Sequence, residues 1–171
     1  MVYGEKEPLS DKSVTHGLCP KHLKICLKEI KTEVEKLMDI SKNFKVLIVE
    51  DSALFRESLT VSLQERFPFV EFYGAGDGEE ALQKVETYHP NLIFMDIRLP
   101  GESGLELTRK IKTSHPDIVI IILTSYDLPE YREAAARYKA DYFLSKGYSG
   151  TENIFKLVEF ILPSSAENQS R

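Results

Sequence analysis

The sequence lacks several features that would assign it to a special class of protein. It contains only two cysteines, Cys19 and Cys26, and no apolar stretch approaching the roughly 20 residues that span a bilayer. It has no long basic run, and its formal net charge is −5, which argues against a nucleic-acid surface as its main function. No secretory signal pattern follows Met1. We therefore expect a cytoplasmic protein that binds neither membrane nor nucleic acid and has no structural disulfide.

The remaining composition predicts one well-buried domain with an appendage. The chain has 171 residues, of which 42% are hydrophobic and 29% charged, too few for two ordinary domains. We expect a flexible N-terminal segment over 1–20, an amphipathic helix over 21–43, a domain over 44–163 and a disordered tail over 164–171.

Apolar residues in the 21–43 segment recur at alternating steps of four and three, as in a coiled coil. They are Leu23, Leu27, Ile30, Val34 and Leu37. This seam covers little more than two heptads, and a helix of this length is marginal unless it packs on something. It could pack on the domain, dock on a partner or pair with a second copy to form a homodimer, and we favour the last two.

The domain alternates short apolar runs with amphipathic segments, which predicts a parallel sheet covered by helices on both faces. The predicted strands are 45–49, 70–74, 91–95, 118–123 and 141–144. The predicted helices are 53–66, 78–88, 103–113, 129–138 and 151–162. Asp77 is placed to cap the second of these helices, and His89-Pro90 and His115-Pro116 are placed to end two of them. The fold class is therefore α/β, doubly wound and five-stranded.

Three acids stand at the ends of two predicted strands. Glu50 and Asp51 follow the first strand, and Asp96 follows the third. Ligands bind at the carboxyl ends of the strands in such sheets. Three neighbouring carboxylates repel one another unless a hard cation such as Mg²⁺ lies among them. The sequence therefore predicts a magnesium-assisted phosphoryl site.

Two other strand ends carry groups that suit a phosphoryl ligand. The fourth predicted strand, 118–123, leads into Thr124, whose hydroxyl can donate to a phosphoryl oxygen. The fifth leads to Lys146, whose ammonium can pair with the same group. Asp96 precedes a loop containing Pro100 and Gly101, where its carboxylate can attack phosphorus.

This arrangement over roughly 44–163 resembles the receiver domain of two-component response regulators, which has the chemotaxis-regulator fold. The resemblance implies strand order 2-1-3-4-5, Asp96 as the phosphoacceptor, and Glu50 and Asp51 as the acidic pair that binds Mg²⁺. It also implies that the main-chain carbonyl of Arg98 is a metal ligand. Thr124 would be the switch hydroxyl, and Lys146 would pair with the phosphate.

The resemblance also implies the function and the partners. A sensor histidine kinase or a histidine phosphotransfer protein would donate the phosphoryl group to Asp96. Thr124 would then move toward that group, and Phe143, at the position of the switch aromatic, would turn inward. The region 51–59 further resembles receivers that carry a helix-turn-helix effector, but we expect no such effector here. We therefore expect output through contact with a downstream protein, and a phosphoacceptor with at most slow self-dephosphorylation rather than an enzyme.

Three other functions are open to this site. A phosphorelay intermediate would pass the group on to a histidine phosphotransfer protein. A receiver-like scaffold would bind partners without being phosphorylated, although the complete set of acids, hydroxyl and lysine argues against it. A phosphatase of the haloacid-dehalogenase type would need a second aspartate two residues after the first, where this chain has Arg98.

The chain also has features of its own around the site. Gly147 follows Lys146 where the family usually has proline, so a looser loop is expected there. Arg98 and Tyr126 lie two residues beyond the phosphoacceptor and the switch hydroxyl, and they flank the route by which water would attack. Their bulk predicts a phosphoryl lifetime toward the long end for receivers.

The N-terminal segment contains residue types that can bind metal. They are His16, Cys19, His22 and Cys26. The stretch from His16 to His22 resembles cysteine-containing segments beside sensory PAS domains of some kinases, but the spacing matches no common zinc-finger pattern. We favour a loop leading into a helix over a zinc or iron site, because short motifs often match by chance.

Overall fold

The computed structural model of this protein describes residues 20–147 and 150–162. The chain divides into two compact units, residues 1–34 and 35–171. The predicted tail 164–171 and all but the last residue of the predicted segment 1–20 lie outside the described residues, as do His16 and Cys19. The side chain of His22 is likewise not described, and Cys26 is an exposed, free thiol.

Six helices and five strands make up the described part of the chain. The helices are α1 (Pro20–Lys42), α2 (Ala53–Arg66), α3 (Gly78–Tyr88), α4 (Gly104–Ser114), α5 (Pro129–Arg137) and α6 (Thr151–Ile161). The strands are β1 (Lys45–Val49), β2 (Glu71–Ala75), β3 (Leu92–Met95), β4 (Val119–Thr124) and β5 (Tyr142–Ser145). Every predicted helix and strand is present, with boundaries within one residue for the sheet and its five helices.

The five strands form a single parallel sheet in the order β2-β1-β3-β4-β5, which confirms the predicted order. The registers align Val49 with Ala75 on one side and with Met95 on the other. They also pair Thr124 with Ser145, so both residues end strands rather than follow them. The loops after β1, β3, β4 and β5 therefore leave the sheet at the same edge.

β2, β3, β4 and β5 each begin one residue later than predicted. At two of these starts, a polar side chain replaces a bond of the backbone ladder. Asn91 Oδ1 accepts a hydrogen bond of 2.9 Å from the backbone N–H of Lys45. Asp141 Oδ2 accepts one of 2.7 Å from the N–H of Ile120. In each case the side-chain oxygen accepts the backbone N–H that would otherwise bond to the carbonyl of one more strand residue.

The core has two layers, one on each face of the sheet. One face packs against α3, α4 and α5, which contribute Val85, Leu107 and Ala135 among others. The opposite face packs against α2 and α6, which contribute Leu63 and Val158. The three central strands β1, β3 and β4 are almost wholly buried, as their apolar sequences require in a doubly covered parallel sheet, whereas the outer strands β2 and β5 are only partly buried.

Capping side chains fix where the helices begin. Asp77 accepts a hydrogen bond of 2.8 Å from the N–H of Glu80, which confirms the predicted cap of α3. Ser52 caps α2 by accepting from the N–H of Phe55 at 3.4 Å. His89 and His115 are the C-caps of α3 and α4, at the predicted stops before proline. Ser52 directly follows the acidic pair Glu50-Asp51, so its cap fixes where that loop enters α2.

Several apolar residues of α1 are exposed in the structure. Leu23, Leu27 and Ile30 have exposed fractions of 45, 57 and 58%. The first three residues of the predicted apolar seam are therefore accessible, and the side chains of Val34 and Leu37 lie outside the described ones. Within the described residues, no helix combines the length and apolar character needed to cross a membrane.

Gly104 is required by the close approach of α4 to the loop after β3. A Cβ built on Gly104 would lie 1.8 Å from the carbonyl oxygen of Asp96. We predict that Gly104→Ala lowers the free energy of unfolding by about 2 kcal/mol or more, because backbone must move to relieve the overlap. Urea unfolding followed by circular dichroism measures this. Gly147→Ala is the matched control, since the nearest atom to its Cβ is 4.0 Å away; equal stability of the two variants would contradict the steric argument.

Candidate functional site

The predicted acids come together at the carboxyl edge of the sheet. Glu50, Asp51 and Asp96 each contribute a carboxylate oxygen, and these oxygens lie within 4.8 Å of one another. Glu50 and Asp96 are buried, whereas Asp51 is exposed. The backbone N–H of Asp96 donates to the carbonyl of Val49 at 3.0 Å, so the sheet itself holds the ends of β1 and β3 together.

Asp96 has a buried oxygen without a hydrogen bond. Its residue is 6% exposed, and among the described residues its Oδ1 is the one buried side-chain polar atom with no hydrogen bond. Burying a carboxylate oxygen without a hydrogen bond is costly, and proteins accept that cost mostly at functional sites. The orphaned oxygen therefore marks Asp96 as the reactive or ligand-binding acid of the cluster.

Glu50 is held by both its backbone and its carboxylate. Its N–H donates to the carbonyl of Ala75 at 2.9 Å. Its Oε1 accepts from the N–H of Ser52 at 3.3 Å, and its Oε2 accepts from Lys146. Burial raises the pKa of the Glu50 carboxyl, and the charge of Asp96 adds to this, while the contacts with Lys146 and Ser52 oppose it. The acid therefore sits in an environment that penalises its negative charge.

Lys146 is the positive group of the site. Its Nζ donates to Glu50 and lies 3.5 Å from Asp96 Oδ1, beyond a good hydrogen bond. It also lies 4.5 Å from the ring centroid of Phe55, and its backbone N–H donates to the carbonyl of Thr124 at 2.8 Å. Lys146 thus joins the ends of β4 and β5 to the acids, and it is placed between Glu50 and the phosphoacceptor candidate.

Thr124 ends β4 and is fully buried. Its Oγ1 accepts a hydrogen bond of 3.3 Å from the backbone N–H of Tyr126. Phe143 lies on the neighbouring strand and is partly buried against the core, with the Arg132 guanidinium 4.5 Å from its ring centroid. The switch roles of Thr124 and Phe143 stay predictions, as does the metal-ligand role of the Arg98 carbonyl.

Arg98 and Tyr126 form a contact that sequence reasoning missed. The guanidinium carbon of Arg98 lies 3.8 Å from the ring centroid of Tyr126, a cation–π distance. The sequence placed each residue near the site, because each comes two positions after a functional side chain. It gave no sign that the two would stack on each other across the β3 and β4 loops.

The acid cluster fits a magnesium ion. Its donors are carboxylate oxygens, which Mg²⁺ prefers, and their mutual repulsion is relieved by a divalent cation. The buried Oδ1 of Asp96 supplies an oxygen that accepts no hydrogen bond from a described protein group. Glu50, Asp51 and Asp96 would hold the ion, which would neutralise charge on a phosphoryl ligand.

Comparison with known families agrees with this geometry. The family model of the response regulator receiver domain matches residues 46–159. That range contains both covered faces of the sheet and all the site residues described above. The chain belongs to the response regulator receiver family.

The curated relatives of this chain are named as sensory transduction and transcriptional regulatory proteins. The sensory transduction protein LytT of Oceanobacillus iheyensis is 35% identical over 114 residues, covering 66% of this chain and 45% of LytT. The transcriptional regulatory protein HptR of Staphylococcus aureus is 35% identical over 129 residues, covering 73% of this chain and 50% of HptR. The receiver thus spans about half the length of the curated relatives that it matches.

A solved relative carries the ion expected at such a site. The response regulator TrrA of Thermotoga maritima, in complex with Mg²⁺ and BeF, is 34% identical with a TM-score of 0.62. The alignment covers 70% of this chain and 99% of TrrA. A chemotaxis-regulator-like receiver of Methanospirillum hungatei is 28% identical with a TM-score of 0.63, covering 69% of this chain and 93% of that one. Receivers bind Mg²⁺ at an acidic pocket and interact with histidine kinases and downstream targets.

The electrostatics of the acid cluster predict that Asp96 destabilises the metal-free receiver. We expect Asp96→Asn to raise the free energy of unfolding by about 1 kcal/mol or more in a chelator, because it removes one of three clustered carboxylate charges that repel one another, and its ammonium partner Lys146 is closer to Glu50. We also expect Mg²⁺ to stabilise the wild type more than the variant, because binding to the folded state alone adds stability. Urea unfolding with and without Mg²⁺ measures both effects.

The exposed acid Glu133 on α5 provides a control for loss of one negative charge. Glu133→Gln should leave both the stability in chelator and the Mg²⁺ response close to those of the wild type. Equal stabilisation of Asp96→Asn and the wild type by Mg²⁺ would contradict the assignment of Asp96 to the metal site.

Proposed function

We propose that this receiver accepts a phosphoryl group on Asp96 from a phosphohistidine of a sensor histidine kinase or histidine phosphotransfer protein, and signals by contact with a downstream protein. The observation that carries the proposal is the buried Asp96 Oδ1, which accepts no hydrogen bond, beside Glu50 and Asp51 and with Lys146 Nζ at 3.5 Å. In this proposal Glu50, Asp51, Asp96 and the main-chain carbonyl of Arg98 hold Mg²⁺. We place the protein in the cytoplasm, where such kinases present their phosphohistidine.

The transfer is a substitution at phosphorus. A carboxylate oxygen of Asp96 forms a bond to phosphorus while the phosphorus–nitrogen bond of the phosphohistidine breaks, and the imidazole leaves with that electron pair. Bound Mg²⁺ supplies positive charge next to the phosphoryl oxygens. Lys146 supplies further charge, because its ammonium, which donates to Glu50, is already 3.5 Å from Asp96 Oδ1 and can also pair with a phosphoryl oxygen. The product is an acyl phosphate on Asp96, so the receiver is a phosphoacceptor and not an enzyme that turns over a separate substrate.

The added group would redistribute contacts already present at the site. It brings about −1.5 to −2 charges, which compete with Glu50 for Lys146. The Thr124 hydroxyl would exchange its contact with the Tyr126 N–H for a phosphoryl oxygen. Phe143 would then turn inward and leave Arg132, which transmits the change to α5. Taking such an equilibrium from 1:99 to 99:1 requires about 5.5 kcal/mol of preference.

The test of phosphorylation is intact-protein mass spectrometry after incubation with acetyl phosphate and Mg²⁺. We expect one added phosphoryl group on the wild type and none on Asp96→Ala. Asp117→Ala removes an exposed acid from the start of β4, at the opposite edge of the sheet, and should be labelled normally. Absence of labelling on the wild type, when a control receiver is labelled, would overturn the proposal.

A scaffold that works without phosphorylation is the alternative from another class. It would explain a failure to label, and lack of beryllofluoride binding would support it. The complete set of site groups favours the phosphoacceptor over this scaffold. A phosphorelay intermediate differs only in the next step, and transfer from the labelled receiver to a histidine phosphotransfer protein would support it.

The exposed seam of α1 supports an additional partner surface. Leu23, Leu27 and Ile30 are each about half exposed, which favours pairing with a second copy or docking on the downstream protein. Sedimentation of the wild type against Leu27→Asp distinguishes these cases, since a dimer should dissociate in the variant. A wild-type monomer would leave the downstream protein as the occupant of the seam.

The stack of Arg98 on Tyr126 predicts slow loss of the phosphoryl group. Arg98 follows Asp96 by two residues and stacks on Tyr126, which follows Thr124 by two. In this proposal the pair would restrict the approach of water to phosphorus. We expect a half-life of minutes or longer for the wild type and a clearly shorter one for Arg98→Ala and Tyr126→Ala. If the stack acts as a unit, the double variant should be little faster than either single one. A wild-type half-life of seconds would contradict this prediction.

A further inference from the structure

We propose that Arg56 is a positioning residue for the metal site, acting through the main chain of Glu50. The proposal deepens the proposed function, because it concerns the Mg²⁺ site on which phosphorylation depends. Arg56 lies in the first turns of α2, one helical turn after the cap Ser52, and is partly buried. Its side chain reaches back over the end of β2 toward the loop that carries the acidic pair.

The first observation is that Arg56 holds the backbone of Glu50. The Arg56 Nη1 donates to the carbonyl oxygen of Glu50, while the Glu50 N–H donates to the carbonyl of Ala75 at 2.9 Å. Both backbone groups of Glu50 are therefore fixed, one by β2 and one by Arg56. Because Asp51 follows directly, the guanidinium also determines where the chain turns toward the second acid.

The second observation is that the end of β2 leaves space for the Arg56 side chain. A Cβ on Gly74 would lie 2.9 Å from Cδ and 3.1 Å from Nε of Arg56, closer than ordinary contacts allow. A Cβ on Gly76 would lie 3.7 Å from Arg56 Nη1, which is an ordinary contact. Gly74 thus opens the path that Arg56 follows, whereas Gly76 does not restrict it.

The surface under Arg56 is itself fixed by a polar network. The Glu80 carboxylate accepts from the N–H of Gly76 at 2.7 Å and from Lys84 at 2.6 Å. Lys84 also donates to the carbonyl of Gly74. The end of β2 therefore has little freedom to move away from an added side chain, and a methyl group on Gly74 should displace Arg56 instead.

The sign of the effect separates positioning from simple electrostatics. Arg56 carries a positive charge near the acid cluster, so loss of this charge alone would strengthen binding of Mg²⁺. Loss of a group that positions metal ligands weakens binding, commonly by tenfold or more. A weaker affinity in Arg56→Met therefore cannot come from its change in charge.

The experiment is isothermal titration calorimetry of the unphosphorylated protein with Mg²⁺ alone. We expect Arg56→Met to raise the dissociation constant by about tenfold, and Gly74→Ala to raise it by about threefold or more. Arg56→Lys, which keeps a donor and the charge, should recover part of the loss. Matched controls are Arg66→Met, the same change at the other end of α2, and Gly76→Ala, the adjacent glycine with room for a methyl group.

A second readout separates positioning from general damage. The rate of phosphorylation by acetyl phosphate should need more Mg²⁺ in Arg56→Met but approach the wild-type rate when Mg²⁺ saturates the site. If Arg56→Met does not fold, the pair Gly74→Ala and Gly76→Ala decides, because both keep Arg56.

The outcomes are distinct for this inference and for the function itself. An unchanged dissociation constant in folded Arg56→Met, or equal constants for Gly74→Ala and Gly76→Ala, would overturn the role of Arg56. A wild type that binds no Mg²⁺ would overturn the proposed metal site instead. A wild type that binds Mg²⁺ but is not labelled on Asp96 would overturn the phosphoacceptor function while leaving the Arg56 inference standing.

Discussion

The ion pair between Lys146 and Glu50 is the interaction on which the site depends. It joins the ends of β5 and β1, which are not neighbours in the sheet, across the two strands that carry Asp96 and Thr124. Without this positive charge, two buried carboxylates and a third nearby would face one another at the same edge. Yet the Lys146 ammonium lies closer to Glu50 than to Asp96, and the Oδ1 of Asp96 is left without a hydrogen bond. The unphosphorylated site therefore has one ammonium among three carboxylates, so a further cation would still be favourable there.

Some of the surrounding contacts position the acid cluster, and others would change when Asp96 is phosphorylated. Arg56 and Ala75 fix the backbone of Glu50, and Gly104 lets α4 pack against the Asp96 carbonyl. These contacts position the carboxylates that would bind Mg²⁺. Lys146 and Thr124 instead bond to Glu50 and to the Tyr126 N–H, and each can exchange that contact for a phosphoryl oxygen. The same edge of the sheet can therefore be rigid where metal binds and movable where the signal leaves.

Sequence reasoning reached the fold and the main site residues because their signals are local or repeated. Unbroken apolar strands alternating with amphipathic helices specify a covered parallel sheet, and strand-end acids must then share one edge. The family resemblance supplied the strand order, which the structure confirms. Neither the sequence pattern nor the resemblance could predict tertiary contacts between individual side chains. The passage of Arg56 over Gly74 and the stacking of Arg98 on Tyr126 leave no periodic pattern, and an ordinary arginine in a helix has many possible partners.

The central claim is that a phosphoryl group at Asp96 draws Lys146 and Thr124 to itself and so alters β5 and α5. The most direct measurement is a comparison of amide NMR spectra with Mg²⁺ alone and with Mg²⁺ plus beryllofluoride. The account predicts changes at Asp96, Thr124 and Lys146 that continue through Phe143 to Arg132, and little change around His89 and His115 at the opposite edge. Changes confined to the acid loops, with β5 and α5 unaffected, would contradict it.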